Sequence, residues 1–186
     1  HPSGPVRAWV AGCSTGEEAY SLAIVLREAL DAVKPPVHHT LQVFATDLDP
    51  DGIDKARVGL YPENIAADVS PERLSRFFTK EDAGYRVRGE IREVVIFAPH
   101  NLIMDPPFTK LDLLSCRNLL IYLAPEMQKK LFPLFHYSLR PGGVLLLGSA
   151  ETVGGFTDLF VPADAKARIY RRSESAARPE PVEFPS

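Results

Sequence analysis

VRAWVAGCSTGEEAY, residues Val6 to Tyr20, passes from an apolar run through a glycine-bracketed turn into an acidic helix start. The run Arg7 to Ala11 reads as a strand. Gly12 and Gly16 bracket the turn, where glycine lets the backbone approach a ligand closely and take positive φ without a Cβ penalty. Glu17 and Glu18 fall in the first turn of the helix, where the macrodipole favours negative charge. Tyr20, Ala23, Ile24, Arg27 and Leu30 continue at helical spacing to Ala32, and Pro35-Pro36 ends the helix. From there apolar strand-like runs alternate with helical patterns, without an internal repeat.

Further strand-like runs cover Leu41 to Ala45, Val94 to Ala98, Leu111 to Ser115 and Val144 to Gly148. Strands alternating with helical patterns predict an α/β domain with a mainly parallel sheet. A second helix is expected from Pro50 to Ala56 or Arg57 after Asp49, closed by Gly59. Ser70-Pro71 opens a third, running through Phe77 and Phe78, and Pro125 opens another over Glu126 to Leu139, stopped by Pro141-Gly142-Gly143. Tyr85, Val87 and Ile91, interleaved with Arg86, Arg88 and Arg92, read as a small antiparallel hairpin, a β-subdomain insertion over residues 84–93. Phe160 and Arg168 to Tyr170 read as a closing antiparallel pair at the sheet edge. One domain over residues 1–172 is expected, followed by a Pro-rich tail or linker, residues 173–186.

The composition of the 186 residues, 45% hydrophobic and 24% charged, suits one globular domain. No apolar run approaches the length of about 20 residues needed to cross a bilayer, so a soluble cytoplasmic protein without membrane insertion is expected. A net charge of −3 argues against non-specific nucleic-acid binding, which needs a basic excess. Cys13 and Cys116 are the two cysteines. They are expected to be reduced core residues, and no metal site is expected. His38 and His39 follow Pro35-Pro36 without a ligand partner at metal spacing.

The turn after the first strand has no Gly-Lys-Ser/Thr sequence and lacks the three-glycine dinucleotide fingerprint. Carboxylates directly after it would compete with a phosphate for the helix N-terminus. They suit a cationic or zwitterionic ligand. Asp47 ends the second strand in FATDLD, at the crevice where open α/β sheets bind ligands, and a carboxylate there accepts ribose hydroxyls. Its alternative role, capping the next helix, falls more naturally to Asp49. Together these features indicate an adenosyl ligand without a phosphate tail, held by the loop Gly12, Ser14, Thr15 and Gly16 with Asp47.

GCSTGEEAY (Gly12 to Tyr20), ATDLD (Ala45 to Asp49), HNL (His100 to Leu102), SCRNLLIYL (Ser115 to Leu123), LRPGGVLLLGSAE (Leu139 to Glu151) and IYRR (Ile169 to Arg172) occur in one order. In this the chain resembles the CheR-type chemotaxis receptor methyltransferases, over about Val6 to Arg171. The resemblance implies a class I, Rossmann-like fold with a C-terminal antiparallel edge. It implies S-adenosyl-L-methionine as cofactor, S-adenosyl-L-homocysteine as product, and methyl transfer to glutamates on chemoreceptor cytoplasmic signalling helices. Cofactor contacts are implied at Glu18, Asp47, Asn101, Leu102, Cys116 and Arg117, with Tyr122 near the transfer centre. Ala19 stands where members usually have proline. Their N-terminal helical domain has no counterpart before His1, so reduced activity is expected of this segment alone. The wording of YPENIAADVSPERL (Tyr61 to Leu74) is similar to modules of hybrid proteins, with methylesterase or sensor domains as fused partners.

A glutamate carboxylate, with an ordinary pKa near 4.3, is already a nucleophile at neutral pH and needs no general base. Catalysis is then positioning, assigned to the Tyr122 hydroxyl and the Arg117 guanidinium. Alternatively, Arg117 anchors its loop and Tyr122 packs as an aromatic. Asn118 is expected to fix the turn. Two other readings stay open: a methyltransferase of another acceptor, and a non-catalytic cofactor-binding or receptor-docking module. MDPPF (Met104 to Phe108) superficially resembles an amine-methylation motif but precedes the fourth strand.

Overall fold

Ten strands and five helices follow one another in the computed structural model, which describes residues 4–35 and 37–174. In chain order they are β1 (Val6–Ala11), α1 (Glu17–Val33), β2 (Leu41–Asp47), α2 (Pro50–Val58), β3 (Leu60–Tyr61), α3 (Pro71–Phe77), β4 (Phe78–Glu81), β5 (Gly84–Val87), α4 (Gly89–Arg92), β6 (Val95–Pro99), β7 (Leu111–Cys116), α5 (Pro125–Ser138), β8 (Leu139–Leu147), β9 (Phe160–Asp164) and β10 (Ile169–Arg172). Of the expected tail only Ser173 and Glu174 are described, and the rest lies outside the described residues. The described residues divide into two compact units, one of residues 4–5 and Cys13–Pro99, the other of Val6–Gly12 and residues 100–174.

In the first unit β2 and β6 run parallel, Val43 opposite Val95 and Asp47 opposite Pro99. Helix α1 buries Ala19, Tyr20, Ala23 and Ile24, and α2 buries Ile53 and Ala56. Each large apolar side chain removed from water this way contributes roughly 1.5–3 kcal/mol. Tyr20 meets Phe97 edge-on with centroids 5.3 Å apart, and its hydroxyl donates to the Ala56 carbonyl at 2.6 Å, so the buried polar end is satisfied. Helix α2 begins and ends where the sequence predicts. Asp49 caps it by accepting from the Asp51 amide, Pro50 sits in the first turn, and Gly59 closes it in the left-handed conformation.

A separate three-stranded sheet, in the order β3-β5-β4, corrects the expected hairpin. Its second arm is not Gly89–Arg92, which forms the helical turn α4, but the upstream strand β4, with Phe78 opposite Val87 and Glu81 opposite Gly84. Phe78, expected in the third helix, is the first residue of that strand. The alternation through Tyr85 and Val87 identifies one strand. It does not identify the partner. Two of the arginines interleaved there are engaged inside the unit. Arg86 binds Glu81 and the Val58 carbonyl at 2.9 Å each, and Arg88 binds the carbonyls of Phe78 and Ser75 at 3.0 and 3.1 Å.

The second unit orders its strands β1-β7-β8-β10-β9. The first three are parallel, and β10 is antiparallel to both β8 and β9. Trp9, Leu111, Leu114, Leu131, Phe135, Leu145 and Phe160 form its core, each under 2% exposed. Strand β8 starts at Leu139 rather than Val144, so Pro141-Gly142-Gly143 lies in the strand and does not stop the helix. The cause is a bulge: between consecutive partners β7 advances from Leu111 to Leu113 while β8 advances from Leu139 to Val144. Only glycine fits at 143, where a Cβ would stand 2.9 Å from the Arg140 carbonyl and 3.1 Å from that of Leu111. Parallel pairing with an antiparallel edge is the α/β architecture predicted from the sequence. Among the described residues no helix is long and apolar enough to cross a membrane.

Candidate active site

The turn from Cys13 to Gly16 is held by backbone bonds at both ends. The Cys13 amide donates to the Thr46 carbonyl at 2.8 Å, and the Gly16 amide donates to that of Cys13 at 3.0 Å. Asp47, at the end of β2, fastens the middle: Oδ2 accepts from the Ser14 amide at 2.8 Å and Oδ1 from the Asp49 amide at 3.0 Å. Each carboxylate oxygen has a second lone pair available. The Thr15 hydroxyl donates to Glu17 at 2.7 Å, and its carbonyl accepts from the buried Tyr61 hydroxyl at 2.8 Å. Gly12 and Ser14 have φ of +74° and +51°, and Gly16 has +96°. Gly16 also packs so closely that a Cβ would lie 2.7 Å from Ala56 Cβ and 3.0 Å from the Tyr61 hydroxyl.

The electrostatics of this turn are negative. Burial, together with the charges of Asp47, Glu18 and Glu17, pushes the Cys13 thiol up to about 12. Cys13 is therefore a neutral thiol at physiological pH. The same negative field favours a cation, such as a sulfonium, over a phosphate. A backbone turn with three left-handed residues, a fixed carboxylate with spare acceptor capacity and a negative local field fit an adenosyl sulfonium cofactor. Glu18 is half-buried in the first turn of α1.

In the second unit, Asn101 and Leu102 belong to a self-contained turn. The Asn101 amide donates to Asp105 Oδ2 at 2.7 Å, and its side-chain oxygen accepts from the amides of Ile103 and Met104 at 3.0 Å each. His100 wedges the turn in place, stacked edge-on to Trp9 at 5.4 Å and bound to the Pro106 carbonyl at 2.9 Å. Cys116 is the fully buried last residue of β7. Arg117 and Asn118 follow, both exposed. Asn118 takes φ +57°, in keeping with its expected role in fixing the turn. Tyr122 ends a short 3-10 turn, Leu120–Tyr122, and is 79% exposed, which removes the reading that it is a packed aromatic.

One residue of this region carries no expectation from the sequence. Glu151, 3% exposed, accepts three backbone amides: Asn118 at 2.7 Å and Gly148 at 2.8 Å on Oε1, and Ile121 at 3.3 Å on Oε2. The available signal is a carboxylate directly after an apolar strand and a glycine, in GSAE (Gly148 to Glu151). No group of three or more His, Cys, Asp or Glu among the described residues is arranged to hold a metal ion.

A family model described as the CheR methyltransferase, SAM binding domain, matches residues 1–169. The chain belongs to this family. The CheR SAM-binding domain takes S-adenosylmethionine as its cofactor. A chemotaxis protein methyltransferase of Vibrio parahaemolyticus is 38% identical over 162 residues, covering 84% of this chain and 58% of that protein. Putative methyltransferase Cher3 of Pseudomonas putida is 36% identical over 178 residues, covering 90% and 63%. An uncharacterized 104.1 kDa protein of Rhodobacter capsulatus is 45% identical over 175 residues, covering 94% of this chain and 18% of its own length. The chain thus spans less than two thirds of each of these relatives. Among solved structures, an RNA methyltransferase from Salinibacter ruber in complex with S-adenosyl-L-homocysteine matches with TM-score 0.50 at 16% identity, covering 95% of this chain and 86% of the other. A TehB-like SAM-dependent methyltransferase from Corynebacterium glutamicum matches with TM-score 0.50 at 16% identity, covering 90% and 78%. At such identities the likeness establishes the fold, that of a class I methyltransferase.

Proposed function

We propose that the domain methylates glutamate carboxylates on the cytoplasmic signalling helices of chemoreceptors, in the cytoplasm, leaving glutamate methyl esters. The observation that carries this reading is the CheR family match over residues 1–169. The cofactor supplies an electrophilic methyl group, which passes to a carboxylate oxygen while the carbon–sulfur bond breaks and its electron pair stays on sulfur, giving S-adenosyl-L-homocysteine. No proton changes hands, so no general base is required. Asp47 would accept the ribose hydroxyls, and the acidic start of α1 at Glu18 would favour the cationic end. The Gly12 to Gly16 turn, with Ser14 and Thr15, admits the cofactor against the backbone. Asn101, Leu102, Cys116 and Arg117 would complete the cofactor contacts. Tyr122 would donate its hydroxyl to the acceptor carboxylate and hold it in line, with Arg117 limiting its freedom.

Titration of the chain with S-adenosylmethionine and S-adenosylhomocysteine, followed by transfer assays on receptor signalling fragments, tests the proposal. Methyl groups should appear on glutamate and be released as methanol in mild base. A base-stable product would point to another acceptor. A second reading is a cofactor-binding module of a longer protein, without turnover of its own; the chain corresponds to 18% of a 104.1 kDa relative. Cofactor binding without ester formation, also in a chain extended to the length of the relatives, would select it.

A further inference from the structure

The buried carboxylate of Glu151 lies beneath a loop that exposes Arg117, Asn118, Ile121 and Tyr122, with Ile121 50% and Tyr122 79% exposed. A carboxylate removed from water is costly unless its oxygens are hydrogen-bonded, and here three oriented backbone amides accomplish this. The donors come from both sides of a junction: Asn118 and Ile121 from the loop after β7, Gly148 from the end of β8. Gly148, directly after β8, sits where nothing larger fits beneath the clamp. A Cβ at Gly148 would stand 2.5 Å from Asn118 Oδ1 and 2.7 Å from Glu151 Oε1. Asn118 holds a left-handed φ of +57°, a conformation that persists in a non-glycine residue where its surroundings enforce it.

A second clamp acts on the loop's carbonyls. Gln128 of α5 donates its side-chain amide to the carbonyls of Leu120 and Leu123 at 2.8 and 3.0 Å. The loop's own bonds are short-range, from the Tyr122 amide to the Leu119 carbonyl and from Leu123 to Leu120. Beyond the buried side chain of Leu120, its placement rests on Glu151 holding its amides and Gln128 holding its carbonyls. We infer that Glu151 is a positioning residue for the methyl-transfer loop, setting where Arg117 and Tyr122 stand; this rests on the function proposed above.

The two oxygens of Glu151 divide the work, which makes the inference testable by graded variants of the full chain. In Glu151→Gln the remaining oxygen keeps the two shorter bonds, to Asn118 and Gly148, while the new amide group faces the Ile121 amide, donor against donor. Amide exchange at Ile121 and Tyr122 should rise, and kcat on receptor fragments should fall, each about tenfold, with S-adenosylhomocysteine affinity kept within about twofold. Glu151→Ala frees both ends, so exchange should rise from Asn118 to Tyr122 and at Gly148, and S-adenosylhomocysteine affinity should fall about tenfold. Glu126→Gln, an exposed residue paired with Lys129 at 3.5 Å, should change none of these. Loss of thermal stability in the Glu151 variants with affinity and kcat of the folded protein unchanged would overturn the inference, leaving Glu151 a structural residue. If the wild-type chain shows no turnover on any receptor fragment, the proposed function fails separately. The exchange pattern of Glu151→Gln and the cofactor affinity of Glu151→Ala still decide the positioning role.

Discussion

Replacing Gly16 by alanine isolates the close approach on which the cofactor turn depends. The backbone at Gly16 has φ +96°, and a Cβ there would sit 2.7 Å from Ala56 Cβ, 3.2 Å from Ala56 Cα and 3.0 Å from the Tyr61 hydroxyl. The left-handed conformation costs an alanine about 1–2 kcal/mol, and forcing a methyl into a filled site typically costs about 1–3 kcal/mol more. Gly16→Ala should therefore lose about 2–5 kcal/mol, a fall in Tm of roughly 4–20 °C for a domain of this size. Gly154→Ala serves as the control, since Gly154 has φ +56° but nothing within 4 Å of its Cβ position. It should show the conformational cost alone. Adding Ala56→Gly to Gly16→Ala should restore part of the loss in a double-mutant cycle, with the Ala56 Cα and Tyr61 contacts leaving the rescue incomplete. Thermal and urea unfolding measure all five proteins: wild type, Gly16→Ala, Ala56→Gly, the double variant and Gly154→Ala. If Gly16→Ala is no less stable than Gly154→Ala, the close-approach reasoning is wrong.

Asp47→Ala should weaken S-adenosylmethionine binding by about 1–3 kcal/mol in calorimetric titration, and unchanged affinity would remove Asp47 from the site. Tyr122→Phe should leave Tm unchanged, because the side chain is 79% exposed, while lowering kcat more than S-adenosylhomocysteine affinity; equal losses would assign Tyr122 to binding. His136 is buried on α5, and burial, reinforced by Arg172, pulls its pKa below the ordinary value, against an opposing pull from the Ser173 carbonyl. In the window between that lowered value and about 6.5 the unfolded chain binds more protons, so stability falls as pH drops through it. Unfolding curves of His136→Gln across this window should show a shallower acid slope than wild type, and an identical slope would refute the assignment.

The parts legible in the sequence are those set by near neighbours along the chain. Asp49-Pro50 and Ser70-Pro71 announce their helices because capping involves residues two or three apart, and the structure has Asp49 accepting from Asp51 and Ser70 from Arg73. The parallel strands are legible as apolar runs. What escapes depends on distant partners. The bulge at Arg140–Gly143 arises from register with β7, and the pairing of β5 with β4 instead of residues 89–92 is a choice between two plausible neighbours. In the candidate site, Asp47 is recognisable by its place at a strand end. Its bond to the Ser14 amide, 33 residues away, is not. Glu151 is hidden for the same reason: its amide partners on the loop lie 30 and 33 residues upstream.

The arginines of the small sheet bear on how any partner surface there would be mapped. Arg86 ties β5 to Glu81 and to the carbonyl after which Gly59 turns the chain, and Arg88 bridges the carbonyls of Ser75 and Phe78 across the junction of α3 and β4. Their guanidinium groups serve as internal mortar, Arg86 fastening β5 to β4 and to the end of α2, and Arg88 fastening the end of β5 to α3 and β4. A charge-reversal scan of this face would thus loosen the sheet at these two positions before it altered any encounter with an acidic partner. Lysine substitutions, which retain the positive charge but lose the planar fork, would separate the two effects: a partner drawn by charge should still bind, and a sheet dependent on the fork should not hold.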